Sequence, residues 1–208
     1  PGVERVLDLG DGVAVVATTT WTAMRALQSI RCEWGEAPYP ATTEAIFERI
    51  AAAFDTDASS TMRDEGDAQA AREGAELIEA EYRVPYLAHT TMEPMNATAL
   101  FEDGRLTIWA GNQAPGMIRD KAAEAAGLDP ENVEVVTTFL GGGFGRRAEF
   151  DVTNQAARIA VEMPGTPVQL MWSREEDVRH DFYRPGAMAR MTGAVGTDGP
   201  TLFDAKIA

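Results

Sequence analysis

Residues 133–147 read Val-Glu-Val-Val-Thr-Thr-Phe-Leu-Gly-Gly-Gly-Phe-Gly-Arg-Arg and carry the strongest structural signal of the chain. The β-branched residues at the start favour a strand, and the four glycines within five positions favour a loop. A helical pattern then covers Asp151 to Met163 and ends at Pro164-Gly165. We therefore predict a strand, a glycine loop and a helix in succession.

The glycine loop has the chemistry of an oxyanion site. Without Cβ atoms, its backbone amides can turn inward and approach an anion or a metal-bound oxygen. It is not a Walker loop, because no Gly-Lys-Ser/Thr follows, and Arg146 stands where a dinucleotide fingerprint needs its last glycine. A nucleotide-binding domain is therefore a weak hypothesis, and a tight turn without any ligand is the structural alternative.

Two further polar motifs lie upstream of the loop. Asn112-Gln113 stands between a predicted strand, Leu106–Trp109, and a helix that begins at Pro115, where a side-chain amide can donate to a bound oxygen. A simple capping role is the alternative. His89 and Glu93 lie in an extended stretch and form either a structural pair or part of a site. With two histidines and one cysteine, the chain does not favour a zinc site.

The rest of the chain predicts a mixed α+β fold. Helices are expected after Thr20, over Glu44–Phe54 and from Pro115 to Gly127. Turn signals at Asp11-Gly12, Asp103-Gly104 and Asp198-Gly199 predict three hairpins. Further strands are predicted at Val3–Leu7, Val13–Ala17, Ile30–Trp34, Ala97–Phe101, Val168–Trp172, Ala187–Val195 and Leu202–Ile207.

Composition excludes several classes of function. The 208 residues are 45% hydrophobic and carry a formal charge of −15, which opposes binding to nucleic acid or an anionic membrane. No apolar run is long enough to span a bilayer. The last third, from Gly141, holds seven of the 16 arginines and is nearly balanced in charge, so an anionic cofactor is expected there, with surface ion pairing as the alternative. The lone Cys32 cannot form an intrachain disulfide, and no targeting segment is recognisable at Pro1.

Three motifs together carry a family resemblance: His89-Thr-Thr-Met-Glu-Pro94, Asn112-Gln-Ala-Pro115 and Gly141-Gly-Gly-Phe-Gly145. In order and spacing they resemble the molybdenum-binding subunit of the xanthine dehydrogenase and aldehyde oxidase family. Arg146-Arg147, in place of the more usual Gly-Lys, looks most like the isoquinoline 1-oxidoreductase β-subunit branch. The resemblance implies that residues 1–37 end a hammerhead-like α/β domain. Residues 38–74 are then a linker with a helix, and 75–208 are the incomplete first molybdenum cofactor-binding domain.

The same resemblance implies an activity. The chain is expected to be a fragment of the catalytic subunit of a bacterial molybdenum hydroxylase, which oxidises an aldehyde or N-heteroaromatic carbon with water-derived oxygen. The implied cofactor is molybdopterin with molybdenum, in its cytosine dinucleotide form. Electrons are expected to pass to 2Fe-2S clusters on a small iron–sulfur partner subunit. The other implied partners are a small-molecule substrate and a second copy of the subunit.

Site residues follow from the resemblance position by position. Gln113 matches the glutamine that hydrogen-bonds a molybdenum oxo ligand, and no residue is expected to ligate the metal directly. The cofactor-binding positions are Gln113, Gly142, Gly143, Phe144, Gly145 and Arg147. The family's base glutamate has no counterpart in these residues, so the fragment alone is expected to be inactive.

One departure limits what the resemblance implies about the substrate. Ala148 stands where purine-oxidising members have a glutamate, so a purine substrate is not favoured. Location stays open between cytoplasm and periplasm. The alternative function is a non-catalytic interaction module that binds a partner through its acidic half.

Overall fold

The structure is a computed structural model that describes all residues, Pro1–Ala208. Contacts divide the chain into two compact units, one of residues 1–33 and 88–182 and the other of residues 34–87 and 183–208. The helices are α1 (Thr20–Leu27), α2 (Thr43–Ala52), α3 (Ala68–Arg72), α4 (Pro115–Ala126), α5 (Asp151–Val161) and α6 (Arg174–Arg179). The strands are β1 (Val3–Asp8), β2 (Val13–Ala17), β3 (Ile78–Val84), β4 (Asn96–Glu102), β5 (Arg105–Ala110), β6 (Val133–Thr137), β7 (Val168–Met171), β8 (Ala187–Gly196) and β9 (Gly199–Ile207).

The first unit is built on a four-stranded sheet of order β6-β5-β4-β7. β4 is antiparallel to β5 and β7, whereas β5 and β6 run parallel. Its core is a set of buried apolar residues at alternate positions of the strands, as in Ala99 opposite Ile108. The buried alanines of α4 and α5, among them Ala122 and Ala156, belong to the same core cluster. These small side chains allow the helices to pack closely on the sheet.

The parallel pair of strands decides where the functional residues lie. β5 leads into α4, which returns the chain to β6 beside it, so both strands end at the same edge of the sheet. Gln113 follows the end of β5, and the glycine loop follows the end of β6. Segments that are far apart in sequence therefore start from neighbouring strand ends, where α/β sheets commonly bind ligands.

A hairpin of β1 and β2 also belongs to the first unit. Arg158 connects α5 to the hairpin turn. Its guanidinium donates to the carbonyl of Leu9 at 2.6 Å and to Asp11 at 3.0 Å. α1 follows the hairpin and is capped by Thr19, whose hydroxyl accepts from the N–H of Thr22.

The second unit is a three-stranded antiparallel sheet of order β3-β8-β9 with α2 and α3. On one face, Arg190 of β8 stacks over Phe54, and Arg72 of α3 pairs with Asp204 at 2.6 Å. On the other face, Phe203 is 73% exposed and Ile207 is 70% exposed. The helices therefore cover one side of this sheet only.

Most of the predicted elements are confirmed, including the three hairpins, the strand before the glycine loop and the helix after it. Ser173 caps α6, since its hydroxyl accepts from the N–H of Glu176. The mixed α and β architecture is also confirmed. The predicted strand at Ile30–Trp34 is wrong: these residues are irregular, because no neighbouring strand pairs with them. No helix is both long and apolar enough to cross a membrane.

We predict that Ile108→Ala destabilises the chain by about 2–5 kcal/mol, because it opens a cavity in the sheet core. Ile108 is fully buried. The matched control is Ile207→Ala on the exposed face, which should change the free energy of unfolding by about 0.5 kcal/mol or less. Urea unfolding of the two variants checks this, and equal losses would show that the sheet core has been misplaced.

Candidate functional site

The glycine loop has a backbone that only glycine adopts easily. Gly142 and Gly145 have φ angles of 104° and 99°, and Phe144 between them also has a positive φ of 54°. The loop ends in a short 3-10 turn, Arg146–Ala148. Phe144 is therefore held in a left-handed conformation that its side chain disfavours, with the ring 74% exposed.

Gln113 and the glycine loop are bonded to each other. The N–H of Gln113 donates to the carbonyl of Arg147 at 2.9 Å, and the N–H of Gly145 donates to Gln113 Oε1 at 3.1 Å. A Cβ atom on Gly143 would lie only 2.6 Å from the same Oε1. The glycine at 143 is thus required for the Gln113 side chain to lie against the loop, and the predicted neighbours are brought together.

Arg147 anchors the loop from its buried side. Its guanidinium donates to the carbonyls of Gly142 at 2.9 Å, Gly111 at 3.3 Å and Glu93 at 3.0 Å, and to Glu93 Oε2 at 2.8 Å. These contacts use the donors of the side chain inside the protein. Arg147, which we expected among the cofactor-binding residues, is therefore an internal support of the loop.

Glu93 completes this support. Its Oε2 accepts from the N–H of Gly141 at 2.8 Å, and its own N–H donates to the carbonyl of Gly141 at 3.1 Å. Burial raises the pKa of the Glu93 carboxyl, but hydrogen bonds from Gly141 and Asn96 and the charge of Arg147 outweigh it and lower this pKa overall. A Cβ on Gly141 would lie 2.5 Å from Glu93 Cβ, so the two backbones approach closely.

The loop has hydrogen-bond donors that the chain itself does not use. The N–H groups of Gly142, Gly143 and Phe144 have no acceptor within the chain, and neither does Gln113 Nε2. Gln113, Phe144 and Gly145 are exposed. A wall of backbone and amide donors is suited to bind oxygen atoms that carry negative charge.

Asn112, next to Gln113, is buried and only partly satisfied. Its Nδ2 donates to the carbonyl of Ala110 at 3.1 Å and to Thr137 Oγ1 at 3.0 Å, which links the ends of β5 and β6. Its Oδ1 has no donor within the chain. The site therefore includes one acceptor that this chain leaves unpaired, which native proteins rarely tolerate without a further partner.

Arg146 occupies the protein interior beside the loop. It is bidentate to Asp151 at 2.9 and 2.7 Å, and its guanidinium stacks on the rings of Trp172 and Phe182. Its Nε lies 2.9 Å from Asp181 Oδ1 but off the N–H direction, so this contact is an ion pair and not a hydrogen bond. Burial lowers the pKa of Arg146, yet Asp151 and the neighbouring carboxylates raise it overall.

His89 does not pair with Glu93. Its backbone N–H donates to Asp181 Oδ2, and its ring Nδ1 lies 3.0 Å from Asp181 Oδ1. The pairing of His89 with Glu93 is therefore wrong as an expectation, and Asp181 is a site residue that sequence reasoning missed. No sequence signal marks Asp181, because it is 92 residues away from His89.

The ionisable side chains around the loop do not form a metal site. No group of three or more His, Cys, Asp or Glu side chains is placed to hold a metal ion. What the site offers is a set of hydrogen-bond donors on a rigid, sheet-supported loop.

Comparison with known proteins connects this site to a family. A family model described as the molybdopterin cofactor-binding domain matches residues 44–203. The xanthine dehydrogenase molybdenum-binding subunit of Escherichia coli O157:H7 is 34% identical over 191 residues, which cover 86% of this chain and 25% of that subunit. The isoquinoline 1-oxidoreductase subunit beta of Brevundimonas diminuta is 28% identical over 210 residues, covering 94% of this chain and 26% of the relative.

A solved structure shares the fold. The quinoline 2-oxidoreductase of Pseudomonas putida 86 superposes with a TM-score of 0.73 at 22% identity, over 93% of this chain and 30% of the other. At this identity the likeness shows a common fold only. The chain spans about a quarter of the length of the two curated relatives.

The support of the loop by Glu93 should weaken in acid. The pKa of its carboxyl is lowered by folding, so its stabilising contribution is present above the ordinary glutamate value of about 4.3. That contribution is lost as the pH falls through the lower pKa of the folded state. Urea midpoints measured between about pH 6 and pH 3 should therefore fall more steeply for the wild type than for Glu93→Gln.

The control for this prediction is Glu134→Gln, at an exposed position of β6. It should follow the wild-type pH dependence. If Glu93→Gln also follows the wild-type curve, then the charged form of Glu93 does not stabilise the loop.

Proposed function

The chain belongs to the molybdopterin cofactor-binding domain family, and from this premise we propose that it forms the cofactor-holding wall of a molybdenum hydroxylase catalytic subunit. The observation that carries the proposal is the contact between Gln113 and the glycine loop. Gly145 donates to Gln113 Oε1, and only a glycine at 143 leaves room for that oxygen. The contact leaves Gln113 Nε2 to donate outward.

The residues present fit such a cofactor by their chemistry. The free N–H groups of Gly142, Gly143 and Phe144 and the amide of Gln113 form a set of donors, and oxygen-rich anionic groups are what such a set binds. Glycine positions on the loop allow a ligand to approach the backbone closely. When bound, the molybdenum cofactor supplies the redox centre that accepts two electrons from the substrate.

Each residue of the wall has a proposed task. Gln113 donates from Nε2 and is held in one orientation by Gly145, so no reorganisation is needed when a ligand binds. Gly142, Gly143, Phe144 and Gly145 offer backbone contacts. Arg147 keeps the loop in place through Gly142 and Glu93, and its effect on the cofactor is indirect.

We also propose the reaction, the form of the cofactor and the electron acceptor by analogy with the family. We propose oxidation of an aldehyde or N-heteroaromatic carbon with water-derived oxygen, and a molybdopterin cofactor in its cytosine dinucleotide form. Electrons would pass to 2Fe-2S clusters on a small partner subunit. The similarity to an isoquinoline 1-oxidoreductase subunit beta and the Arg146-Arg147 pair support this branch. No residue of this chain matches the family's base, so we expect these 208 residues to be inactive by themselves.

The domain assignment is part of the same proposal. Residues 1–37 would end a hammerhead-like α/β domain, 38–74 would link it by a helix, and 75–208 would begin the first molybdenum cofactor-binding domain. The match of the family model to residues 44–203 supports a cofactor-binding domain that includes residues 75–203, and the match also extends over most of the proposed linker.

The proposal predicts a specific effect of Gly143→Ala in the full-length protein that carries this chain. The new Cβ meets the movable end of Gln113, 2.6 Å away, so the side chain swings aside while the fold is kept. We expect a thermal midpoint close to that of the wild type and a turnover of aldehyde substrate lowered by about 100-fold. Molybdenum per polypeptide is measured in parallel by mass spectrometry.

The matched control is Gly116→Ala in α4, where a Cβ would meet no atom within 4 Å. It should keep both turnover and molybdenum. A wild-type protein that turns over substrate without any bound molybdenum would refute the proposed function. Full turnover in Gly143→Ala would refute the role given to Gln113.

A further inference from the structure

The ring of His89 is fixed beside the glycine loop by a buried carboxylate. Asp181 has a side chain only 2% exposed, and it receives both the backbone N–H and the ring Nδ1 of His89. A histidine bonded through Nδ1 to an acidic group has a defined ring orientation, with Nε2 pointing away from that group. The pair is therefore built like the oriented imidazoles of binding and active sites.

Asp181 is itself held in place by Arg146. The Nε of Arg146 lies 2.9 Å from Asp181 Oδ1, and the guanidinium is clamped by two hydrogen bonds to Asp151. Since Arg146 follows the loop directly, the chain of contacts runs from the loop through Arg146 and Asp181 to His89. Arg146 and Asp181 are positioning residues in this arrangement.

The Nε2 nitrogen of His89 lies beside Gly145 of the proposed wall. Nε2 is the one heavy atom within 4 Å of the position that a Cβ would take on Gly145, at 3.9 Å. It has no hydrogen-bond partner within the chain, and the side chain is 18% exposed. In the tautomer whose Nδ1 donates to Asp181, Nε2 is an acceptor next to the N–H donors of the loop.

We propose that His89 is a further cofactor-contacting residue, which accepts through Nε2 a hydrogen bond from an N–H or O–H group of the ligand bound at Gly145. This proposal rests on the proposed function, because it assumes that the wall holds the cofactor. It adds an acceptor beside the donors of Gln113 and the glycine loop, and it therefore selects a ligand that carries both kinds of group.

Two substitutions separate this role from a structural one. His89→Asn keeps an amide N–H that can donate to Asp181, but its short side chain does not reach the place of Nε2. His180→Asn changes the other histidine of the chain, which packs edge-on against Trp172 with ring centroids 5.1 Å apart and does not contact the loop. Of the two variants, only His89→Asn removes a nitrogen that lies beside Gly145.

The experiment uses the full-length protein loaded with its molybdenum cofactor. Release of the cofactor is followed by the molybdenum and the fluorescent pterin that pass through a filter after dilution. We expect release about tenfold faster in His89→Asn than in the wild type, which corresponds to about 1.4 kcal/mol and to one lost hydrogen bond. His180→Asn should release the cofactor at the wild-type rate, and Asp181→Asn should behave like His89→Asn.

A second measurement does not depend on substitutions. Diethyl pyrocarbonate modifies accessible imidazole nitrogens, and peptide mass spectrometry reports each histidine separately. We expect His89 to react in the cofactor-free protein and to be protected in the loaded protein, whereas His180 reacts equally in both. Equal reactivity of His89 in the two forms, or no reaction in either, counts against the proposal.

The outcomes distinguish a failure of the proposed function from a failure of the role proposed for His89. If the wild-type protein binds no molybdenum cofactor, both the proposed function and the role proposed for His89 are wrong. If the wild type is loaded and His89→Asn releases the cofactor at the wild-type rate, the inference alone is overturned.

Discussion

The buried guanidinium of Arg147 holds the site together. It is hydrogen-bonded to three carbonyl oxygens and one carboxylate, contributed by the loop itself, by the end of β5 and by Glu93. Each of these acceptors would lose its partner if the side chain were truncated, at about 1–3 kcal/mol for each one left buried. Because Gly142 and Phe144 adopt positive φ angles, the loop needs this external support to keep its shape.

The sheet brings the residues of the site together, and contacts of the two arginines then hold them in place. The parallel strands β5 and β6 bring Gln113 and the glycines to one edge, and glycine at 143 lets the two touch. Arg147 then fixes the loop from inside, while the N–H groups of Gly142, Gly143 and Phe144 have no acceptor within the chain. The same loop continues into Arg146, whose pairs with Asp151 and Asp181 extend the fixed region to His89. Two adjacent arginines therefore support opposite ends of one wall.

The sequence predicted the elements that are determined by interactions between residues close together in the chain. The strand before the glycines, the helix after them and the hairpins follow from periodicity and turn residues, and the structure confirms them. The strand at Ile30–Trp34 was wrong because β-propensity without a partner strand does not make a sheet. Asp181 and the inward direction of Arg147 could not be derived from sequence, since both depend on contacts between distant segments. The closeness of Gln113 to the loop could be expected, because both motifs follow strands of one sheet.

We propose that Gln113 and residues 142–145 hold the molybdenum cofactor. Anomalous diffraction at the molybdenum edge, from crystals of the loaded full-length protein, tests it most directly. We expect a single peak beside Gln113 Nε2 and the free N–H groups of Gly142, Gly143 and Phe144. A molybdenum peak elsewhere, with this wall covered by protein or open to solvent, would contradict it.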